Sequence, residues 1–155
     1  ASAFNEVDAV VLSRFSYIPF DGIVPDDFGH TVTVAEAAEQ FLGDEERRTQ
    51  VIYEDDLNLL AAMGASRRFG DLLLCGYVSQ LDEEIQKQFS AVTVKLFDDV
   101  SCVVYRGTDK TFVGWREDCN MAFLSPVPSQ QTAVEYLRQA AEQISGTFLL
   151  CGGNL

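Results

Sequence analysis

Apolar and polar residues follow two different periods along this chain. Up to about residue 63 the apolar positions recur at helical spacing, and from residue 72 to 105 they alternate or cluster as in strands. Asn5 to Phe15 predicts a helix with Val7, Val10, Val11 and Phe15 on one face. Asn5 is placed to cap it, with Asp8 at the third helical position. Pro19, Gly22 and Pro25 then break the pattern. Thr33-Val34-Ala35-Glu36 reads as a capping box that opens a second helix, which runs to about Leu42 and stops at Gly43. Gly43 to Gln50 is charged and expected to be exposed. Tyr53 to Met63 predicts another helix, with Leu57, Leu60 and Ala61 on one side, and Ser66 to Gly70 a loop.

The period changes after Asp71. Leu72 to Ser79 predicts a strand, and Asp82 to Lys87 a charged turn or a single helical turn. Phe89 to Phe97 alternates, with Val92, Val94 and Leu96 on one face. Asp98-Asp99 is a short turn into a strand over Ser101 to Tyr105, so residues 89–105 predict a hairpin. Thr111 to about Met121 predicts a short helix, ended by Ser125-Pro126-Val127-Pro128. Ser129 is the expected cap of a longer helix reaching Ser145. Its expected buried stripe is Val134, Leu137, Ala141 and Ile144, and Gly146 is its stop. Thr147 to Cys151 predicts a short apolar strand. A strand, a helical crossover of about 40 residues and a second strand imply a parallel β-α-β connection. The expected class is α/β, in one domain over residues 1–155, helical over about 1–70 and sheet-forming over about 71–155.

Composition narrows the functions. The net charge of −13 repels phosphate backbones and anionic headgroups, which argues against nucleic-acid binding. No apolar run is long enough for a membrane span, and the opening residues carry no signal-peptide pattern. Cysteines 75, 102, 119 and 151 lack C-x-x-C spacing, and three lie in or beside apolar runs. Buried free thiols in a reducing, cytoplasmic setting are the expectation. His30 has no cysteine or histidine at ligand spacing, so no zinc site is expected, nor any other cofactor. The acids Glu54-Asp55-Asp56 suit the first turn of a helix, and a hard cation would need six or more converging oxygens.

The stretch that points to chemistry is Val100 to Phe123. Arg106-Gly107-Thr108 lies just past the carboxyl end of a predicted strand, where ligands gather in open α/β sheets. Gly107 permits a sharp corner, and Thr108 can present its N–H and hydroxyl to a developing negative charge. The tripeptide alone is more often an ordinary strand-ending turn. In context, Val103-Val104-Tyr105-Arg106-Gly107-Thr108 followed by Gly114-Trp115-Arg116-Glu117-Asp118 resembles the oxyanion-loop block of class three lipases. The longer form, YRGTDKTFVGWREDCNMAF, is similar to that of bacterial lipase-like proteins of the Mbeg-like group.

That resemblance implies an α/β-hydrolase fold, here partial, with an N-terminal helical region, a hairpin and a β-α-β crossover. It implies Thr108 as the oxyanion-hole residue. It implies a cover or lid-like element over Lys110 to Phe123, although core packing is the commoner role for aromatics such as Phe112 and Trp115. It also implies that Arg106 pairs with Asp118 to brace the loop. The activity implied is that of a lipase- or esterase-like serine hydrolase on a small-molecule or lipid carboxylic ester. The alternative is a non-catalytic binding or interaction domain that keeps the scaffold.

The chain departs from the family pattern at its last strand. A Gly-His-Ser-Lys-Gly-Gly-Asn-Leu elbow is implied there, whereas the residues read Cys151-Gly152-Gly153-Asn154-Leu155. The nucleophile serine expected between Cys151 and Asn154 is missing. Either the sequence joins the two flanks of an elbow that it omits, or the elbow is deleted. None of the serines present has a Gly-x-Ser-x-Gly context, and His30 comes too early for the Ser–acid–His order. A polypeptide without the nucleophile would lose on the order of 10⁶ in turnover. Gly152-Gly153 lacks the spacing and lysine of a phosphate loop.

Overall fold

The strands lie side by side in the order in which the chain makes them. The computed structural model describes residues 4–82, 87–97, 99–107 and 128–154. Its sheet has the order β1 (Val32–Thr33), β2 (Leu73–Asp82), β3 (Lys87–Phe97), β4 (Val100–Gly107) and β5 (Thr147–Asn154). The first three neighbouring pairs are antiparallel, and β4 pairs with β5 in parallel. The expected hairpin and β-α-β connection are therefore both present, in a mixed α/β arrangement.

Alternation along the strands sends side chains to two faces, and both are covered. Leu74, Tyr77, Val92, Val94, Cys102, Val104 and Cys151 join a core with Leu12, Phe15, Val34, Phe41, Leu60 and Met63. Those helical residues belong to α1 (Glu6–Phe15), α2 (Val34–Leu42) and α4 (Asp55–Ala65). Cys75, Phe89, Ala91, Val103 and Tyr105 pack on the opposite face against Ala133, Tyr136 and Ala140 of α5 (Pro128–Gln143). Burial on both faces is why the middle of β4, Cys102 to Tyr105, is continuously apolar and why even Ser90 and Thr93 of β3 are buried.

Local signals set the helix starts. The Asn5 side chain accepts from the Val7 and Asp8 N–H groups while Asp8 accepts from the Asn5 N–H, a complete capping box. Thr33 and Glu36 form a second box, in which Thr33 ends β1 and caps α2 at once. The charged segment after Gly43 holds one short helix, α3 (Glu45–Arg48), capped by Asp44. α5 ends at Gln143, short of the expected Ser145, and Gly146, at φ +108°, turns the chain into β5 beside the Asp99 carbonyl that accepts from the Thr147 N–H.

Three predicted faces need correction. In α1, Val7 and Val10 are 70% and 68% exposed, and the inward stripe is Asp8, Leu12 and Phe15 with Val11 half-buried. The Asp8 carboxylate can be inside because Arg68 binds it. In α5, Val134 is 53% exposed and Ala141 is also outside, whereas Ala133, Tyr136 and Ala140 are buried. Two small residues and a tyrosine carry too little hydrophobicity to mark that stripe. In α4, Leu57 and Leu60 point inward as expected but Ala61 is exposed, and Asp56 and Met63 take its place. The predicted helix over Thr111–Met121 lies outside the described residues.

Candidate functional site

Strand direction defines where a site can form. β2 runs parallel to β4 because each is antiparallel to β3 between them. β5 is parallel to β4. The carboxyl ends of β2, β4 and β5 therefore lie at one edge of the sheet, the edge at which open α/β sheets bind ligands. Register fixes the neighbours there. Ser79 is opposite Ser90, Ser90 is opposite Arg106, and Arg106 is opposite Gly153. Gly107 pairs with Asn154.

The segment after α1 runs along this edge. Ile23 to Phe28 lies against β2, where the Gly76 and Tyr77 N–H groups donate to the Asp27 and Pro25 carbonyls at 2.9 Å each. Between this segment and the strand is an open groove of about 600 Å³, lined by Asp21 to Asp26 and Tyr77 to Gln80. Further along the edge, Arg106 reaches back to α1's C-terminal turn. Its Nη1 donates to the Tyr17 carbonyl at 3.1 Å, and its guanidinium carbon is 5.8 Å from the centre of the Tyr17 ring. Arg14 approaches the same ring at 4.6 Å and the Tyr53 ring at 4.7 Å, while binding Asp56 through two hydrogen bonds of 2.8 Å. The Tyr17 hydroxyl is buried with no hydrogen-bond partner among the described residues, and burial raises its pKa.

The structure sorts the sequence candidates. Arg106 is at the carboxyl end of β4, and its described partner is Tyr17. Thr108, Phe112, Trp115 and Asp118 lie outside the described residues, as does the whole Lys110–Phe123 element. His30 is on an exposed loop, its side chain 82% exposed and its Nδ1 3.1 Å from an Asp27 oxygen. Of the acids at 54–56, Asp56 is taken up by Arg14 and the other two are exposed. Cys151 and Gly152 continue β5 without a turn, and the strand extends to Asn154.

Three of the four cysteines are free and buried in the described residues, in line with the sequence reading; Cys119 lies outside them. Burial pushes the Cys75 thiol up to about 11. Cys102 and Cys151 face each other under α1, with their sulfur atoms 2.8 Å apart. Sequence reasoning missed this pair, and it missed the Tyr17–Arg106 contact. Neither has a local signal, because each joins residues far apart in the chain.

The Mbeg1-like family model matches residues 63–155. The chain belongs to the Mbeg1-like family. The matched span takes in β2 to β5 and α5, so the whole strand-end edge except its N-terminal cover is Mbeg1-like. No curated protein and no solved structure matches the chain. No helix among the described residues of this Mbeg1-like protein is long and apolar enough to cross a membrane.

Proposed function

We propose that the chain supplies the oxyanion side of a lipase-like serine hydrolase acting on carboxylic esters, in an α/β-hydrolase-type fold. The observation that carries this reading is the parallel pairing of β4 with β5, which sets Gly107 opposite Asn154. A strand leading into Arg-Gly-Thr thus runs beside the strand whose end would bear a nucleophile elbow. The groove beside β2, which β3 separates from β4, offers room for a small ligand at the same end of the strands. In this mechanism a serine on a tight turn after Cys151 attacks the ester carbonyl and passes its proton to a histidine. Thr108 and the N–H following the serine hold the tetrahedral oxyanion, the alcohol leaves, and water releases the acid. One such oxyanion donor contributes roughly 10²–10³ in rate.

The second reading is a non-catalytic binding domain on the same scaffold. It is favoured by β5, which continues in extended form through Gly152 where the elbow would turn. Peptide sequencing across Cys151–Asn154 of protein isolated from its source separates the two. A serine-bearing insert supports the hydrolase, and a continuous Cys-Gly-Gly-Asn peptide removes it. With the insert present, an organophosphonate probe is expected to label that serine. Thr108→Val is then expected to slow p-nitrophenyl ester turnover by roughly 10²-fold or more, and an unchanged rate would take Thr108 out of the site.

A further inference from the structure

We propose that Cys102 and Cys151 form a modification site, a thiol pair that a small peroxide oxidises to a disulfide linking β4 to β5. The inference is independent of the hydrolase reading and needs no residue of the elbow.

The register brings the two sulfurs together. Val104 is opposite Cys151 and Cys102 is opposite Leu149, so the cysteines are diagonal neighbours on the same face of adjacent strands. Their sulfur atoms are 2.8 Å apart although the residues are 49 positions apart in sequence. A disulfide bond is about 2.0 Å long, so the two sulfurs are within about an ångström of bonding distance. Cys75 is on the opposite face of the sheet and does not compete.

The two thiols are not equivalent. Cys102 is wholly enclosed, whereas Cys151 lies on β5, which has no further strand beside it among the described residues, and keeps slight exposure. The Cys102 thiol, hydrogen-bonded to Cys151 and buried, holds its proton far more tightly than usual. Cys151, on the other side of the same sulfur–sulfur contact, is shifted the other way. The lower of the two pKa values and the greater, though slight, exposure therefore coincide at Cys151, and thiolate fraction and exposure are the properties that govern oxidation.

The reaction balances with one hydrogen peroxide. The Cys151 thiolate attacks a peroxide oxygen, the O–O bond breaks, and the departing hydroxide takes up a proton as water. Cys151 is then a sulfenic acid. The Cys102 sulfur attacks it as its proton is lost, the S–O bond breaks, and hydroxide leaves with that proton as a second water. Two electrons pass from the thiols to the peroxide, and the S–S bond is the product.

The test treats the intact chain with equimolar hydrogen peroxide, alkylates remaining thiols in denaturant and maps an unreduced tryptic digest. Cleavage after Arg106 and Arg138 separates the two cysteines unless they are bonded. The expected product is a peptide pair joined through Cys102 and Cys151, about 2 Da lighter than its two thiol halves and split by dithiothreitol. Cys75 is expected to be recovered alkylated. In Cys102→Ser the pair cannot form, and dimedone is expected to trap sulfenic acid at Cys151. Recovery of Cys102 and Cys151 both alkylated, or a bond from either to Cys75 or Cys119, would overturn the proposal. The mapping uses the unaltered protein, so it decides the matter even if the variant does not fold.

Discussion

The Tyr136 hydroxyl donates to the Gly76 carbonyl at 2.7 Å, tying α5 to the point where β2 breaks register. Cys75 pairs with Thr93 and Val78 with Ala91, so β2 carries one residue more than β3 across this interval. Gly76, at φ +62°, absorbs the extra residue. Thr93 completes the arrangement, its Oγ1 2.8 Å from the Tyr136 hydroxyl. A Cβ at Gly76 would meet that hydroxyl at 2.7 Å and intrude on the edge of the Phe28 ring. Gly76→Ala is expected to cost about 2–4 kcal/mol, from left-handed strain and overpacking together. Tyr136→Phe, which leaves a buried carbonyl without its donor, is expected to cost about 1–2 kcal/mol. Urea unfolding of the two variants checks both, and a wild-type midpoint in Gly76→Ala would show that the bulge can be relieved at no cost.

Asp8 does two jobs, and pH should separate them from the rest of the protein. Its carboxylate accepts from the Asn5 N–H at 2.9 Å and from the Arg68 Nε at 2.6 Å, with a second guanidinium hydrogen bond to the other oxygen. The Arg68 hydrogen bonds hold its pKa below the ordinary carboxylate value, against the opposing effect of burial. The unfolded chain therefore binds a proton at Asp8 more readily than the folded one. This contribution is complete above the unfolded-state pKa of about 3.9 and is lost as pH falls through the lowered folded value. Asp8→Asn is expected to cost about 1–3 kcal/mol at pH 7 and to flatten the acid limb of the stability curve. Urea midpoints from about pH 6 down to about pH 2, a range that starts above the unfolded-state pKa and continues below it, would show a steeper fall in wild type than in the variant. Parallel curves would mean that Asp8 is not a source of the acid sensitivity.

What could be read from the sequence was local. Asn5 with Asp8, and Thr33 with Glu36, announce helix starts within four residues, and both capping boxes are present. The two-residue corner at Asp98-Asp99 made the β3–β4 hairpin readable, and the helical stretch before Thr147 made the parallel return readable. Contacts between distant segments were not legible. β1 exists only because Val32 and Thr33 pair with Leu74 and Leu73, which no two-residue stretch can signal. Asp8 belongs to the buried face of α1 because of an arginine 60 positions away. At the candidate site, the nearness of Arg106 and Gly107 to a strand's carboxyl end was legible, but both belong to β4 and pair with Gly153 and Asn154 rather than forming a corner past it. The nearness of Arg106 to Tyr17 and the meeting of Cys102 with Cys151 are products of packing.

The face of α5 offers a direct check on that distinction. Hydrophobicity marks Val134 as inward, yet it is half-exposed, while Ala140 is wholly enclosed against the second core. Val134→Lys is therefore expected to change stability by no more than about 0.5 kcal/mol. Ala140→Leu adds volume where Tyr136 and the sheet already meet, and is expected to cost about 1–3 kcal/mol. The reverse ranking in thermal or urea unfolding would restore the face read from the sequence.

Arg106 and Tyr17 supply the last expectation, which concerns how the strand-end edge is held. Arg106 donates to the Tyr17 carbonyl and lies near the Tyr17 ring, so it joins the end of β4 to the turn that leaves α1. Arg106→Ala is expected to cost about 1–2 kcal/mol through loss of the charged hydrogen bond and the ring contact. Arg106→Lys keeps the charge but not the planar donor, and is expected to recover less than half of that loss. Tyr17→Phe is the informative contrast. Its hydroxyl is buried without a partner among the described residues, so removing it takes away a desolvated dipole and leaves the carbonyl contact with Arg106 in place. Tyr17→Phe is expected to be neutral or to stabilise by up to about 1 kcal/mol. A large loss in Tyr17→Phe, matched by none in Arg106→Ala, would mean that the ring's hydroxyl, and not the arginine, holds this edge together.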